Sequence, residues 1–237
     1  MNYSEFENIL NKHLIYNKLE IDSNSKETLY EYMKNLLTWN EMINLTAIKD
    51  EAEVILKHFV DSIYIKDLIR GKVMDIGSGA GFPGLPLCVV NSDIELTSID
   101  SVNKKINFQK DTIEKLEIKN AEAMHTRAED LAQDSRYREQ YDFTVSRAVA
   151  NLATLVEYML PFTKVGGKCI CLKGPSYKEE LGNAQKAIEV LGGKIESIKE
   201  YKISDENERT LIIITKVNKT DKAYPRKQGK PSKEPIK

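Results

Sequence analysis

The sequence is poor in the residues that define several protein classes. It has three cysteines and three histidines among 237 residues, and no apolar run approaches the roughly 20 residues that cross a bilayer. The cysteines, Cys88, Cys169 and Cys171, are odd in number and lie within apolar segments, which argues against a disulfide framework and for a reducing compartment. No histidine or cysteine cluster has metal-ligand spacing, so we predict no metal site.

The first residues also lack the features of a targeting signal. Residues 1–6 contain neither a basic region nor an apolar core, so we expect no signal peptide and a cytoplasmic protein. With 41% hydrophobic and 30% charged residues, the composition is that of an ordinary soluble globular protein. The length suits one core with at most a small appended unit. We expect a monomer that does not bind membranes.

Charge is distributed unevenly along the chain. Residues 216–237 contain seven lysines and one arginine against Asp221 and Glu234, a net charge of +6. The whole chain carries −1, so residues 1–215 carry −7. A basic tail on an acidic body is typical of a protein that contacts nucleic acid with one face. A solubilising, frayed terminus explains the tail equally well.

The pattern of apolar residues divides the chain into three segments. Residues 1–68 have helical spacing and almost no glycine or proline, which predicts a helical N-terminal extension. Residues 69–217 alternate short apolar runs with helix-like segments, which predicts a mostly parallel sheet with helices on both faces. The predicted strands are 72–76, 94–99, 121–125, 143–145, 167–172 and 211–215, and the predicted helices of this core are 86–90, 102–116, 128–133, 148–160 and 177–191. Residues 218–237 form a basic tail with little expected regular structure.

A glycine-rich loop follows the first predicted strand. Asp75 ends that strand, and Gly77, Gly79 and Gly81 follow at alternate positions, where the backbone can turn tightly and present N–H groups to a ligand. Sheets of this kind bind ligands at the carboxyl ends of their strands. The acid before the first glycine disfavours a phosphate, whereas it suits the cationic amino group and sulfonium of S-adenosylmethionine. The loop therefore favours a methyltransferase that uses this cofactor.

A dinucleotide-binding loop is the main alternative, because the six residues from Gly79 to Gly84 also satisfy G-x-G-x-x-G. That motif needs its first glycine directly after the strand and its third within the helix. Here the strand ends about three residues too early, and Pro83 and Pro86 occupy the expected first helical turn. The position of the glycines relative to the strand and the helix thus fits a nicotinamide-dependent oxidoreductase less well than a methyltransferase.

Polar residues follow the next two predicted strands. Asp100 ends the second strand and can accept both hydroxyl hydrogens of an adenosine ribose, although it could instead cap the helix that begins at Val102. After the third strand come Arg127, Ala128 and Glu129, which place an acid and free backbone amides where an adenine ring would lie. An acid in the first turn of a helix is an equally good structural explanation there.

The fourth predicted strand leads into Arg147. Many methyltransferases carry a proline-aromatic element or a nucleophilic cysteine at this strand end, and this chain has neither. Since an arginine is a poor general base but binds phosphate, carboxylate or a guanine edge well, we expect an acceptor that is nucleophilic when neutral, such as a ring nitrogen. We interpret His58, three residues before Asp61, as part of a structural pair with that acid.

Several different short motifs are distributed over nearly the whole chain. The glycine loop continues through Phe82-Pro83-Gly84, and the other motifs are Asn40, Asn44-Leu45-Thr46-Ala47-Ile48, His58-Phe59-Val60-Asp61-Ser62, Arg127-Ala128-Glu129, Ser146-Arg147-Ala148-Val149-Ala150, Lys173-Gly174, Tyr224-Pro225-Arg226 and Gly229-Lys230-Pro231. Together they resemble the ribosomal RNA small subunit methyltransferase G family, also called glucose-inhibited division protein B. The extended glycine loop is far more specific than the bare cofactor motif.

This resemblance implies a Rossmann-like class I methyltransferase with a mostly parallel, seven-stranded sheet. It implies transfer of a methyl group from S-adenosylmethionine to N7 of guanine 527 in 16S ribosomal RNA. The partner would be the RNA, the small ribosomal subunit or its assembly intermediate. The family's cofactor contacts correspond to Gly77, Phe82, Ala128, Glu129 and Arg147. Residues implied near the reaction centre or the RNA are Asn44, Arg127, Arg147 and Arg209.

Two further functions stay open at this point. A methyltransferase of the same fold could act on a small molecule or a protein, since fold does not dictate substrate. A non-catalytic RNA-binding protein could also retain the pocket without the activity. The basic tail and the missing proline-aromatic element favour an RNA substrate.

Overall fold

The N-terminal part of the protein is helical. The structure is a computed structural model that describes residues 1–147, 150–175 and 177–237. Its first segments are α1 (Tyr3–Asn17), α2 (Ser23–Met42), α3 (Glu51–Val54), a π-helical segment (Ile55–Val60), α4 (Asp61–Ile63) and a 3₁₀ turn (Lys66–Leu68). Helix α1 begins in a capping box, in which the Asn2 and Glu5 side chains each accept a hydrogen bond from the other residue's backbone N–H.

The helical extension shares a core with the rest of the chain. Phe6 of α1, Tyr32 of α2 and Phe59 are fully buried, and they belong to one apolar cluster with Val73 and Leu96 of the sheet. Full burial of one such side chain contributes about 1.5–3 kcal/mol. Residues 1–68 therefore pack as a layer on the sheet.

Seven strands form one sheet. They are β1 (Gly71–Ile76), β2 (Ile94–Asp100), β3 (Ala121–His125), β4 (Tyr141–Arg147), β5 (Thr163–Lys173), β6 (Gly193–Ser204) and β7 (Asn207–Lys216). Their order across the sheet is β3-β2-β1-β4-β5-β7-β6. Strands β1 to β5 pair in parallel, whereas β7 pairs antiparallel with both β5 and β6. The predicted mostly parallel, seven-stranded, Rossmann-like sheet is confirmed.

Helices cover both faces of this sheet. They are α5 (Gly84–Val90), α6 (Asn103–Lys115), α7 (Ala128–Leu131), α8 (Leu152–Met159) and α9 (Tyr177–Val190). Consecutive residues of a strand point to opposite faces, and Val73 and Met74 of β1 accordingly lie in two different apolar clusters. The five predicted core helices are confirmed, although residues 148 and 149 of the fourth lie outside the described residues. Within the described ranges, no helix is long and apolar enough to cross a membrane.

Strand β6 is the element that the sequence pattern did not predict. Most of its residues are exposed, and charged side chains such as Lys194, Lys199 and Lys202 interrupt its apolar positions. It lies at the edge of the sheet, and charged residues on edge strands prevent pairing with other chains. A strand of this kind lacks the alternation by which a half-buried strand is recognised.

The basic tail is fixed to the core. Its regular structure is limited to the short α10 (Lys230–Lys233), as expected. Arg226 forms an ion pair of 2.6 Å with Glu157, whose side chain is fully buried in α8. The Arg138 guanidinium donates to three tail carbonyls, those of Thr220, Asp221 and Tyr224. The tail is therefore packed rather than frayed.

Strand β1 ends in a buried carboxyl group. Asp75 is fully buried, and its Oδ2 accepts a hydrogen bond of 2.8 Å from the Gly84 N–H. Its Oδ1 has no hydrogen-bond partner among the described residues. Burial raises the pKa of Asp75 to about 7, although the Gly84 N–H and the charge of Arg147 act in the opposite direction.

The buried carboxyl group of Asp75 should make the stability of the protein depend on pH. Because the folded-state pKa of Asp75 lies above its ordinary value of 3.8, folding favours the protonated acid, and this contribution is lost as the pH rises towards 7. Relative to Asp75→Asn, which cannot ionise, the wild-type free energy of unfolding should fall by about 1.4 kcal/mol per pH unit between pH ~4 and ~7. Urea unfolding of both proteins across this range measures the difference. A difference that does not change with pH contradicts the assignment.

Candidate active site

A cavity of about 800 Å³ opens at the carboxyl ends of the parallel strands. Ligands of open α/β sheets bind at this edge, and cofactor sites have volumes of about 300–1,000 Å³. Residues from both the glycine loop and the N-terminal helical segment line the cavity, together with Ser232 of the tail. The cavity is therefore the candidate active site.

The glycine loop forms one wall. Gly77 and Gly79 line the cavity with φ values of 66° and 60°, in the left-handed region that favours glycine. Gly81 has a different role, since it lies behind the wall. A side chain on Gly81 would come within 2.5 Å of Leu85 and of the Tyr32 hydroxyl. Asp75 likewise lies beneath the loop, where its bond to the Gly84 N–H holds the turn.

Side chains that the sequence pattern did not single out support the loop from behind. The Tyr32 hydroxyl donates to the Ala80 carbonyl, and the Tyr32 ring stacks on Phe82 at 5.5 Å. Gln109 of α6 is fully buried and donates from Nε2 to the Ser78 hydroxyl and to the Gly79 carbonyl, both at 2.8 Å. The buried positions of Tyr32 and Gln109 suit helical faces, and only the tertiary structure shows that they reach the loop.

Asp100 joins the glycine loop to the start of α6. Its Oδ2 accepts from the Gly79 N–H at 2.9 Å, and its Oδ1 accepts from the Val102 N–H at 2.8 Å. Asp100 is not the N-cap that we considered as its alternative role, since α6 begins at Asn103 and Val102 is its N-cap residue, without a side-chain cap hydrogen bond. A carboxylate oxygen can accept more than one hydrogen bond, and Asp100 also lines the cavity. Its contact with a ribose stays a prediction.

The residues after β3 lie at the same end of the cavity. Arg127, Ala128 and Glu129 all line it, and Arg127 is exposed to solvent. Glu129 is buried, and its Oε1 accepts a hydrogen bond of 3.0 Å from the N–H of Gly229 in the tail. The acid predicted on the adenine side is therefore held by a contact 100 residues away in sequence.

Two arginines share one carboxylate at the opposite end. Arg147, at the end of β4, donates to Asp61 Oδ2 at 3.2 Å, and Arg209 of β7 donates from Nε to Asp61 Oδ1 at 3.1 Å. Asp61 is only 2% exposed. Arg147 also donates to the Lys57 carbonyl at 2.8 Å. Both predicted arginines line the cavity, and Asp61, to which we assigned no site role, fixes them.

His58 is paired differently from our expectation. Its Nδ1 lies 2.9 Å from the Arg147 guanidinium, and because a guanidinium only donates, Nδ1 must accept. The proton is therefore on Nε2, which donates to Thr46 Oγ1 at 2.9 Å. The expected structural pair with Asp61 is wrong, since Arg147 and Arg209 occupy that carboxylate.

Burial and the neighbouring positive charge keep the imidazole neutral. Together they lower the pKa of His58 to about 3, with burial the larger cause. The ring stacks on Phe82 with centroids 4.4 Å apart and an interplanar angle of 11°. The Arg147 guanidinium lies 5.2 Å from the centroid of the Phe82 ring, a cation–π contact. The aromatic residue of the glycine loop thus contacts the arginine end of the cavity.

The loop after α2 completes this end. Asn40 is buried, and its Oδ1 accepts from the backbone N–H groups of Leu45 and Thr46, which line the cavity. Asn44 is exposed on the same loop, outside the lining of the cavity. Its placement near the reaction centre therefore stays a prediction, and Asn40 is the residue that shapes the loop.

The side chains of the cavity suit a cationic nucleoside more than a metal or a pyrophosphate. The acids Asp100 and Glu129 line the cavity together with the glycine loop. Both are buried and both keep an oxygen lone pair for a further donor. Among the described residues, no group of three His, Cys, Asp or Glu side chains is placed to hold a metal ion.

Comparisons with known proteins show the fold class and the family of this chain. A solved S-adenosylmethionine-dependent methyltransferase from Aquifex aeolicus is similar in fold, with a TM-score of 0.53, 17% identity and coverage of 72% of this chain and 96% of that one. Ribosomal RNA small subunit methyltransferase G from Alkaliphilus metalliredigens is 48% identical over 224 residues, which are 92% of this chain and 93% of the relative. The protein of the same name from Clostridium botulinum is 47% identical, with 98% and 100% covered. The GidB family, described as rRNA small subunit methyltransferase G, matches residues 25–212. The chain therefore belongs to the rRNA small subunit methyltransferase G family.

Proposed function

We propose that the protein transfers the methyl group of S-adenosylmethionine to N7 of guanine 527 in 16S ribosomal RNA. The observation that carries the proposal is one cavity with two unlike ends. A glycine loop with Asp100 and Glu129 forms one end, and Arg147 with Arg209 forms the other. Membership of the family supports the same reaction.

The cofactor is assigned to the end of the cavity at β1, β2 and β3. When bound, S-adenosylmethionine supplies a methyl group on a positively charged sulfur that a lone pair can displace. Gly77 and Gly79 would admit it close to the backbone, and Asp100 would accept hydrogen bonds from its ribose. Ala128 and Glu129 would contact its adenine.

The shortage of an available base at the arginine end supports a ring nitrogen as acceptor. His58 has one ring nitrogen occupied by Arg147 and the other by Thr46. Both oxygens of Asp61 accept from arginines. Neither of these two described side chains is thus placed to take a proton from a substrate. Guanine N7 is an exposed acceptor in the major-groove edge and needs no deprotonation before it attacks.

Arg147 would position the guanine. Its three hydrogen bonds, to the Lys57 carbonyl, Asp61 and His58, fix the guanidinium. Among the contacts of the described residues, two of its five N–H groups are left for a base edge or a phosphate. Positive charge moves from sulfur to the purine without being created, so orientation should supply most of the rate. Well-oriented reactants gain roughly 7–11 kcal/mol in this way.

The RNA partner is 16S ribosomal RNA, as naked RNA, an assembly intermediate or the small subunit. Arg127 is exposed where it lines the cavity and would contact the RNA backbone at the entrance. Helix α10 of the basic tail reaches the cavity through Ser232, and its lysines Lys230 and Lys233 are exposed. Basic side chains around the entrance of an active site favour a polyanionic substrate.

The reaction can be tested by mapping the methylated base. Labelled S-adenosylmethionine is supplied with 16S RNA and, separately, with small subunits that lack the modification. Reductive aniline cleavage then breaks the chain at N7-methylguanine. We expect a new break at guanine 527 and none in RNA that carries adenine there. Label in another position, or no label in RNA under either condition, contradicts the proposal.

Substitution of Arg147 tests the positioning role. We expect Arg147→Ala to reduce methyl transfer by at least about 100-fold, since a small misplacement of reactants can cost that much, while the protein stays folded. Arg136→Ala is the matched control, because that arginine is 78% exposed and pairs with Asp134 outside the cavity. Single-turnover rates of methyl transfer are measured for each variant, and circular dichroism checks that each variant is folded. A rate of methyl transfer near that of the wild type in Arg147→Ala would contradict the positioning role of Arg147.

A further inference from the structure

The last turn of the chain borders the same cavity as the glycine loop. Ser232 of α10 is one of the lining residues, together with Asp100, Glu129 and Thr154. Apart from Arg147, the residues predicted to contact the cofactor all lie before residue 130 in sequence. Ser232 therefore belongs to a separate segment of the chain that the fold brings to the cavity.

A backbone contact ties this turn to the acid on the adenine side. The Gly229 N–H donates to Glu129 Oε1 at 3.0 Å. Gly229 has a φ of +75°, a conformation that other residues rarely adopt. The bond fixes one oxygen of a buried carboxylate and leaves Oε2 for a further donor.

Contacts of the residues before Ser232 hold the turn in place. Thr154 of α8 donates from its hydroxyl to the Pro231 carbonyl at 3.0 Å, and Pro231 is buried. Upstream, Gln133 donates to the Pro225 carbonyl, and Arg226 binds Glu157. The segment from Pro225 to Ser232 is thus anchored to the residues around α7 and to α8, two elements that line the cavity.

The lysines of this turn do not line the cavity. Lys230 and Lys233 are exposed, and the Lys230 side chain is 54% exposed beside Glu234. The residue that this turn contributes to the cavity lining is Ser232, whose side chain is a neutral hydroxyl. A cationic cofactor therefore meets a hydroxyl on this side, while the lysines stay available to RNA phosphates.

We propose that residues 229–232 form the wall of the S-adenosylmethionine site beside the adenine. In this role Gly229 orients Glu129, and the Ser232 hydroxyl contacts the adenosine. The inference rests on the proposed function, since it takes the cavity as the site of that cofactor. It separates two roles of the tail: the turn binds the cofactor, and the lysines bind RNA.

Calorimetric titration with S-adenosylmethionine tests this division. One variant is truncated after Gln228, which keeps the Arg138 and Arg226 anchors. The other is the full chain with Gly229→Pro, which has no N–H for Glu129 and cannot adopt the positive φ. We expect both to raise the dissociation constant of the cofactor at least tenfold. The matched control replaces Lys233 and Lys237, two exposed lysines outside residues 229–232, by alanine in the intact tail.

We expect the control to bind S-adenosylmethionine as the wild type does. Its RNA binding should depend less steeply on salt, by about 0.7–0.9 in the log–log slope for each phosphate that the tail no longer neutralises. A wild-type dissociation constant in a folded truncated chain overturns the inference, and if truncation prevents folding, the Gly229→Pro chain decides by the same criterion. No binding by the wild-type protein would instead contradict the proposed function.

Discussion

Arg147 leaves the end of β4 and donates hydrogen bonds to three acceptors of one short helical segment, the Lys57 carbonyl, His58 and Asp61. These bonds join the N-terminal helices to the sheet at the point where the cavity opens. Asp61 is buried and also accepts from Arg209. Removal of one partner from a buried ion pair costs about 3–5 kcal/mol, so the shared carboxylate fixes both arginines. The end of β4, β7 and the helical segment therefore act as one unit.

This constraint separates the cavity into two ends with different chemistry. The end at β1, β2 and β3 offers a glycine loop and two buried acids, which suit a cationic nucleoside. The other end offers positioned arginines, while its neutral histidine and its carboxylate are already engaged. Phe82 connects the two ends, because it belongs to the loop and stacks on His58. Such a site favours orientation of a neutral nucleophile over proton transfer.

Features encoded over a few residues could be predicted from the sequence. The glycine loop, Asp100 and Arg147 each follow an apolar strand, and parallel strands bring their carboxyl ends together. Contacts between distant segments could not be predicted in this way. The bond from Gly229 to Glu129, the support of the loop by Gln109 and the sharing of Asp61 depend on tertiary packing. The pairing assigned to His58 failed for the same reason, since spacing along a helix does not reveal partners from β4.

Asp61 should hold the two arginines in place mainly for methyl transfer. The most direct test is the Asp61→Asn variant, measured for two quantities in parallel: the single-turnover rate of methyl transfer to 16S RNA and the dissociation constant of S-adenosylmethionine. The amide keeps the size of the side chain and removes the charge that both arginines share. We expect a transfer rate reduced at least about 100-fold and a much smaller change in the dissociation constant, because Arg147 is only one of several predicted cofactor contacts. Retained cofactor binding also shows that the variant is folded. A near wild-type transfer rate would contradict this role of Asp61.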